Sequence, residues 1–353
     1  MTQARKIVIT GGGTAGHVMP HIAILPELRK AGFDVHYVGS GGIEKDLAMK
    51  YQIPFHEIAT GKLRRYLSVQ NFIDVFRIIA GLFQAVTLMI RLRPVVVFSK
   101  GGFVAVPVTL AAWICGIPVV THESDYSPGL ANKIIAPFSQ RILYTFPETS
   151  RYLKAERSTL VGTPVRPDLF GGSSEAGRSY CGFLDEKPIL LVMGGSQGAQ
   201  RINDALKAIL PSLLKQFNVV HLTGKGKSIG FTGAGYRGFE FVGDELKDLF
   251  AASTLVVSRA GANSIFELLA LRKPMLLIPL EIGSRGDQIL NANSFEANGW
   301  AVQLKESTMT DKSLHESILN LFERRKSMMS AQEGAAIDSV PAKIVQILQS
   351  IAG

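Results

Sequence analysis

Cysteine is scarce in this chain. Its two cysteines, Cys115 and Cys181, form no CxxC pair and no metal-spaced cluster. A disulfide framework and a structural zinc site are therefore excluded, and a reducing compartment fits. Long apolar runs are also missing: the uncharged stretch Ile78–Ile90 is shorter than the roughly 20 residues that span a bilayer. No helix-turn-helix, RNP or zinc-finger pattern occurs, so nucleic acid is not an expected partner. The N-terminal MTQARKIVIT enters a strand-like run at once, and no signal peptide is expected.

What is present is a chain of 353 residues, 46% hydrophobic and 19% charged, long enough for two domains with proper cores. The net charge of +9 is lopsided. Residues 1–163 hold 18 Lys+Arg against 10 Asp+Glu, whereas the remainder is nearly balanced, with 20 against 19. The first half is therefore expected to meet an anionic surface or substrate.

Apolar runs without period-2 alternation recur at Lys6–Thr10, Val35–Gly39, Val95–Ser99, Pro118–His122 and Arg141–Thr145, separated by helical stretches. Such runs indicate a parallel sheet covered on both faces. After Val161 the segment TPVRPDLFGGSSEAGRSYCG reads as an interdomain linker. The alternation then restarts at Ile189–Met193, Asn218–Thr223, Phe239–Val242, Thr254–Ser258 and Met275–Pro279. The expected fold class is α/β: two doubly wound, Rossmann-like domains facing each other across a cleft, with ligands outside the carboxyl ends of the strands.

One helical segment stands apart. Phe72, Val75, Phe76, Ile79, Leu82, Phe83, Val86, Met89 and Ile90 follow a three-to-four spacing, which reads first as a core helix. Lys62, Arg64, Arg65, Arg77, Arg91 and Arg93 flank it against Asp74 alone. That excess points to contact with an anionic membrane surface somewhere in the segment.

Four loops carry candidate chemistry. ITGGGTAGH contains Gly11-x-Gly13-x-x-Gly16, the dinucleotide fingerprint, but the second strand ends His36-Tyr37-Val38-Gly39-Ser40 with no carboxylate for a ribose. The loop can still offer backbone N–H groups to a phosphate. His17 at the helix entrance reads equally as a base or as a helix-terminus histidine. Gly194-Gly195-Ser196-Gln197-Gly198 repeats the strand–glycine–helix pattern, with Ser196 either a phosphate donor or a cap. In SRAGANSIFE the helix start suits a diphosphate. There Ser264-x-x-Glu267 reads either as a capping box or as a carboxylate for both ribose hydroxyls. SRGDQILNA presents Asp287, Gln288 and Asn291, natural partners of sugar hydroxyls or ordinary helix-start polars. Asp-x-Asp, the usual cation holder of metal-dependent nucleotide-sugar transferases, is absent. Neither a metal nor a cofactor is expected; dipoles and cationic side chains would stabilise a leaving group.

GGGTAGH, SKGGFVAVP, HESDYSPGLANK, GTPVR, MGGSQGAQRIN, SRAGANSIFE and SRGDQ occur in this order over most of the chain. Together they resemble the MurG family of bacterial peptidoglycan synthesis. The resemblance implies a GT-B fold and a peripheral enzyme on the cytoplasmic side of the cell membrane. It also implies inverting transfer of GlcNAc from UDP-GlcNAc to the MurNAc 4-hydroxyl of undecaprenyl-pyrophosphoryl-MurNAc-pentapeptide (lipid I). Residues 1–163 would be the acceptor- and membrane-binding domain. Residues 164–340 would bind UDP-GlcNAc, and a C-terminal helix over about 341–353 would pack back on the first domain.

Carried over residue by residue, Thr14, Ala15, Gly16, Arg166, Ser196, Ala262, Asn263, Ser264, Glu267, Gln288 and Asn291 would contact the donor. Glu267 then takes the ribose role. Gly101, Gly102, Phe103 and Asp125 would face the acceptor, and His17 would be the base. Two departures stand out: Ala15 replaces a glycine of the common TGGH, and HESD replaces HEQN, so that Asp125 stands where an asparagine is usual. An ionised carboxylate accepts hydrogen bonds but donates none. The competing readings are another GT-B enzyme, either a lipid glycosyltransferase or a UDP-sugar epimerase, and a non-catalytic UDP-sugar sensor.

Overall fold

The computed structural model describes residues 5–61, 69–195, 198–282, 286–335 and 339–353, with the backbone alone for Ala15 and residues 69–75. The chain divides into two compact units, Met1–Arg166 with Ser339–Gly353, and Pro167–Asp338.

Unit 1 alternates strand and helix: β1 (Arg5–Thr10), α1 (Ala15–Lys30), β2 (Phe33–Gly39), α2 (Ile43–Lys50), β3 (Phe55–Glu57), α3 (Val69–Leu92), β4 (Val96–Ser99), α4 (Ala105–Ile114), β5 (Val119–Glu123), α5 (Leu130–Ile135), β6 (Arg141–Tyr144) and β7 (Ser158–Leu160). Its seven strands lie in the order β3-β2-β1-β4-β5-β6-β7, every pair parallel. Unit 2 contains α6 (Ser174–Cys181), β8 (Ile189–Met193), α7 (Gln200–Leu213), β9 (Asn218–Leu222), β10 (Tyr236–Phe239), α8 (Leu246–Ala252), β11 (Ser253–Ser258), α9 (Ala262–Ala270), β12 (Met275–Leu277), α10 (Asp287–Ala297), β13 (Val302–Gln303) and α11 (Asp311–Glu333). Its sheet runs β10-β9-β8-β11-β12-β13, again parallel throughout.

The unalternating apolar runs have a direct cause. Successive strand side chains point to opposite faces, and in unit 1 both faces are covered. Ile7 and Ile9 of β1 pack with Ile24 and Leu28 of α1 on one side. Val8 joins Ala85 and Met89 of α3 and Val108 and Ala111 of α4 on the other. The last helix, α12 (Val340–Ile351), belongs to the first of these cores through Val340, Ile344, Val345 and Leu348. Pro341 starts it, at a position where a missing N–H costs nothing.

Several expectations are corrected. The segment read as a linker holds a capped helix, α6, whose Ser173 side chain accepts from the Ala176 N–H at 3.2 Å. The strand expected at 239–242 is β10, three residues earlier. The apolar stripe of α3 is not one core face. Ala85 and Met89 are buried, but Phe76 (72% exposed), Ile79, Phe83 (70%) and Ile90 face outward. The stripe is too wide for one packed side: residues 76, 83 and 90 recur at seven-residue intervals and form a second line along the helix. Of the flanking residues, Lys62, Arg64 and Arg65 lie outside the described residues, as do the side chains of Phe72, Asp74 and Val75.

Candidate active site

In a doubly wound sheet the strand order reverses at a switch point, and the loops leaving the two strands there diverge to make room for a ligand. In unit 1 that point lies between β1 and β4, and in unit 2 between β8 and β11. The loops that follow these four strands are the glycine-rich segments of the sequence.

In unit 1 the two loops interlock through glycines. Gly102 has φ +80°, and a Cβ on it would fall 2.6 Å from the Gly12 carbonyl oxygen and 3.5 Å from His17 Nδ1. A Cβ on Gly13, at φ +87°, would meet Phe103 Cε1 at 2.6 Å. Thus Gly12, Gly13, His17, Gly102 and Phe103 share one small region at the carboxyl ends of β1 and β4. Thr14 is the N-cap of α1, yet its hydroxyl does not cap the helix; Oγ1 lies 3.0 Å from His17 Nδ1. With Nδ1–H donating to Thr14, Nε2 of the imidazole is the unprotonated ring nitrogen. Gly16 lies in the same first turn of α1, and the Ala15 side chain lies outside the described residues.

The glycine requirement gives a sharp expectation. Gly102→Ala combines left-handed strain of about 1–2 kcal/mol with a backbone clash. Gly116→Ala, at φ +69° with nothing within 4 Å of its Cβ, carries the strain alone. The first variant should lose more than the 2–8 °C or so that strain alone takes from a unit of this size, and lose turnover as well. The second should lose only the strain share. Thermal melts and activity assays of the pair test this; equal losses would rule out the interlocked loops.

Below the loops lies a polar cluster centred on Lys100, a residue that no sequence motif singles out. Lys100 follows β4 immediately and is 3% exposed. Its Nζ donates to His122 Nδ1 and, at 2.6 Å, to Ser124 Oγ. His122 Nε2 donates to the Gly162 carbonyl at 2.8 Å, which fixes Nδ1 as the acceptor. Burial drives the Lys100 amine down to about 7 although Glu123 and Asp125 pull it up. Burial, helped by Lys100, also holds the His122 imidazole well below its ordinary value. His21 is lowered to about 3, chiefly by burial; its Nε2 donates to the Thr10 carbonyl at 3.0 Å. Glu123 accepts from the Asp125 and Gly129 N–H groups, both at 2.9 Å, and from Asn132 Nδ2 at 2.6 Å. Asp125 is thereby placed half-buried at the end of β5. Gly101, at φ +78°, lies against Asn132 Oδ1. The only hint in the sequence was a lysine closing an apolar strand in SKGGF.

Although β2 has no carboxylate at its tip, Glu44 of α2 lies against Gly12. It is 2% exposed and accepts from the Ser40 hydroxyl at 2.8 Å, so it closes a turn and is not offered to a ribose.

In unit 2, α9 begins at Ala262 with Gly261 as N-cap, and a Cβ on Gly261 would meet nothing within 4 Å. Ala262, Asn263 and Ser264 form the first turn, with backbone N–H groups of the kind that hold anions. The capping-box reading of Ser264 and Glu267 is overturned: both lie inside the helix, and no side chain caps Gly261. Glu267 is half-buried, one turn beyond Asn263. Beneath this turn, Arg259 is paired with Glu306 at 2.5 Å. Asp287, Gln288 and Asn291 do open a helix, α10. Asn291, however, is fully buried and its Nδ2 donates to the Ala260 carbonyl at 3.1 Å, joining α10 to the loop before α9. Gln288 Oε1 accepts from the Leu280 N–H at 2.9 Å, which ties α10 to the end of the loop after β12. Gly194 and Gly195 follow β8. Ser196 and Gln197 lie outside the described residues, as do Ser284 and Arg285 of SRGDQ. Arg166 is the last residue of unit 1 before the boundary.

The described residues contain no group of three or more His, Cys, Asp or Glu that could hold a metal ion. Among them no helix is long and apolar enough to cross a membrane.

The sequence matches the glycosyltransferase family 28 N-terminal domain over residues 7–144 and the C-terminal domain of that family over residues 189–345. A protein of Geobacillus thermodenitrificans (strain NG80-2) is 50% identical over 353 residues, 99% of each chain. One of Lachnospira eligens is 51% identical over 351 residues, 98% of this chain and 99% of that one. Both are named UDP-N-acetylglucosamine--N-acetylmuramyl-(pentapeptide) pyrophosphoryl-undecaprenol N-acetylglucosamine transferase. Among solved structures, MurG of Acinetobacter baumannii is similar with a TM-score of 0.74 and 25% identity, covering 98% of this chain and 99% of the other. A UDP-N-acetylglucosamine 2-epimerase, at 13% identity and a TM-score of 0.67, shares the fold alone.

Proposed function

The chain belongs to glycosyltransferase family 28, and from that premise we propose that it transfers GlcNAc from UDP-GlcNAc to the MurNAc 4-hydroxyl of lipid I, giving lipid II. The observation that carries this reading is identity of about one half over the full length to transferases named for that reaction. It is a hexosyltransferase of cell-wall synthesis.

Unit 2 is the donor side. The first turn of α9, Ala262 to Ser264, faces the diphosphate, whose growing negative charge on departure is stabilised by the helix N-terminus. Glu267 accepts the ribose hydroxyls, the Gln288 amide addresses GlcNAc, and Arg166 and Ser196 complete the donor contacts. Asn291 supports the α9 loop through Ala260. Unit 1 is the acceptor side. Gly101, Gly102 and Phe103 approach the lipid diphosphate, and Asp125 an acceptor hydroxyl. Thr14, Ala15 and Gly16 lie toward the transferred sugar. His17 removes the proton from the attacking hydroxyl as positive character builds at C1, and UDP leaves from the opposite face. UDP release from UDP-GlcNAc should depend on added lipid I analogue. A UDP-sugar sensor would release none, and an epimerase would consume the donor without acceptor.

The same unit offers a membrane-facing surface. Phe76, Ile79, Phe83 and Ile90 of α3 and Trp113 and Ile114 of the adjacent α4 are exposed apolar side chains, and Arg77, Arg91 and Arg93, on α3 and just after it, are exposed cations. Apolar side chains entering the interface beside cations that meet anionic headgroups make a peripheral anchor on the cytoplasmic leaflet. The Phe76→Glu/Phe83→Glu variant should lose most co-sedimentation with phosphatidylglycerol vesicles yet keep turnover on a water-soluble acceptor. Undiminished co-sedimentation would remove α3 from the anchor.

A further inference from the structure

A buried lysine usually has a carboxylate in contact; among the described residues Lys100 has none. Its amine touches an imidazole and a hydroxyl, and no described ion pair includes it. Both Glu123 oxygens are already taken by the Asp125 and Gly129 N–H groups and by Asn132 Nδ2. Glu123 therefore attracts the amine through space, and Asp125 adds to that attraction. Removing a cation from water without a contact partner costs stability. A methionine would fill the same volume without that cost. What the amine does hold is the segment after β5: it grips Ser124, the residue before Asp125, and its charge attracts Glu123 and Asp125 through space.

Resting on the reading of unit 1 as the acceptor side, we propose that Lys100 is a positioning residue for the transfer: through Ser124 and its charge it holds Asp125 in place as the acceptor-facing carboxylate. The pairing answers the chemistry of the site. A carboxylate beside an anionic acceptor needs a local cation, and position 100 supplies one from below the glycine-rich loops. The charged and titratable groups facing the amine are His21 of α1 and His122, Glu123 and Asp125 at the end of β5.

Two consequences separate this role from a structural one. The folded chain releases the Lys100 proton near pH 7, whereas the unfolded chain keeps it to about 10.5. The unfolded state thus binds more protons in that window, so stability rises with pH there, and the burial penalty is fully present below pH 7. Lys100→Met removes the penalty but also the bonds to His122 and Ser124, so the mark it should leave on stability is loss of the wild-type gain above pH 7. The variant should also lose activity, and the wild-type fall in kcat/KM for acceptor above pH 7 should flatten.

The experiment uses the full chain, UDP-GlcNAc and a lipid I analogue, with wild type, Lys100→Met, Asp125→Asn and the double variant. Lys100→Met should lower acceptor kcat/KM by about ten- to a hundredfold, the scale of a displaced positioning group, with the UDP-GlcNAc KM unchanged. The losses of Lys100→Met and Asp125→Asn should fall short of additive, because the cation acts through Asp125. Ser124→Ala should lower acceptor kcat/KM in the same direction, which keeps the test open if Lys100→Met folds poorly. Wild-type turnover with an unaltered pH profile in Lys100→Met, or fully additive losses, or an unaffected Ser124→Ala, would overturn the inference. If wild type itself made no lipid product, the transferase reading would fail instead.

Discussion

Replacing His17 by alanine should lower kcat for GlcNAc transfer by about 10²–10⁴-fold, the share general-base catalysis contributes, while UDP-GlcNAc affinity stays within about twofold, the change expected where no donor contact is lost. The expectation follows from position. His17 lies in the first turn of α1, with Nδ1 engaged by the Thr14 hydroxyl at 3.0 Å and the ring beside Gly102 at the β1–β4 switch point. Of the three histidines in this part of unit 1, His21 and His122 are fully buried and held neutral by burial, each with Nε2 committed to a backbone carbonyl. His17 is the half-exposed one. Single-turnover rates and donor titrations measure the two quantities separately. Near-normal turnover would eliminate His17 as base, and weakened donor binding would move it to the binding machinery.

The second large effect is expected at Glu267. Loss of the hydrogen bonds that ribose hydroxyls donate to a carboxylate is worth about 1.5–3 kcal/mol, so Glu267→Ala should weaken UDP-GlcNAc binding by about 10- to 150-fold. The loss is expected in binding, because Glu267 lies inside α9 and the N-cap of that helix is Gly261. Calorimetric titration with UDP-GlcNAc measures the change, and unaltered affinity would remove Glu267 from the donor site. Glu267→Gln, which keeps one acceptor, should fall between wild type and alanine.

Much of this architecture is legible from the residues alone. Fully buried strands such as Ile189–Met193 leave unbroken apolar runs, and two rounds of strand–glycine–helix announce two parallel sheets. The elements that escaped are the edge strands β3, β7 and β13, of two or three partly exposed residues, too short for any period. A helix cap is set by where the backbone leaves the helix. The Ser264-x-x-Glu267 spacing therefore looked like a cap although Gly261 holds that place. The α3 stripe misled because spacing reports an apolar face, not what covers it. Lys100 was passed over for a similar reason. Its burial arises only when β4, β5 and the first glycine-rich loop converge on one point, and nothing local to SKGGF encodes that. By contrast, Gly13, Gly101, Gly102, Gly195 and Gly198 are readable because their positive φ values leave almost no other residue possible.

The central claim is that unit 2 surrenders a sugar from a uridine nucleotide and that a lipid-linked acceptor receives it. The most direct measurement incubates the purified chain with radiolabelled UDP-GlcNAc, with and without a lipid I analogue, and separates the lipid products. Label should appear in a β-1,4-linked disaccharide-lipid only when acceptor is present, in amounts matching the UDP released. Donor binding with no labelled lipid, or donor turnover without acceptor, would contradict the account.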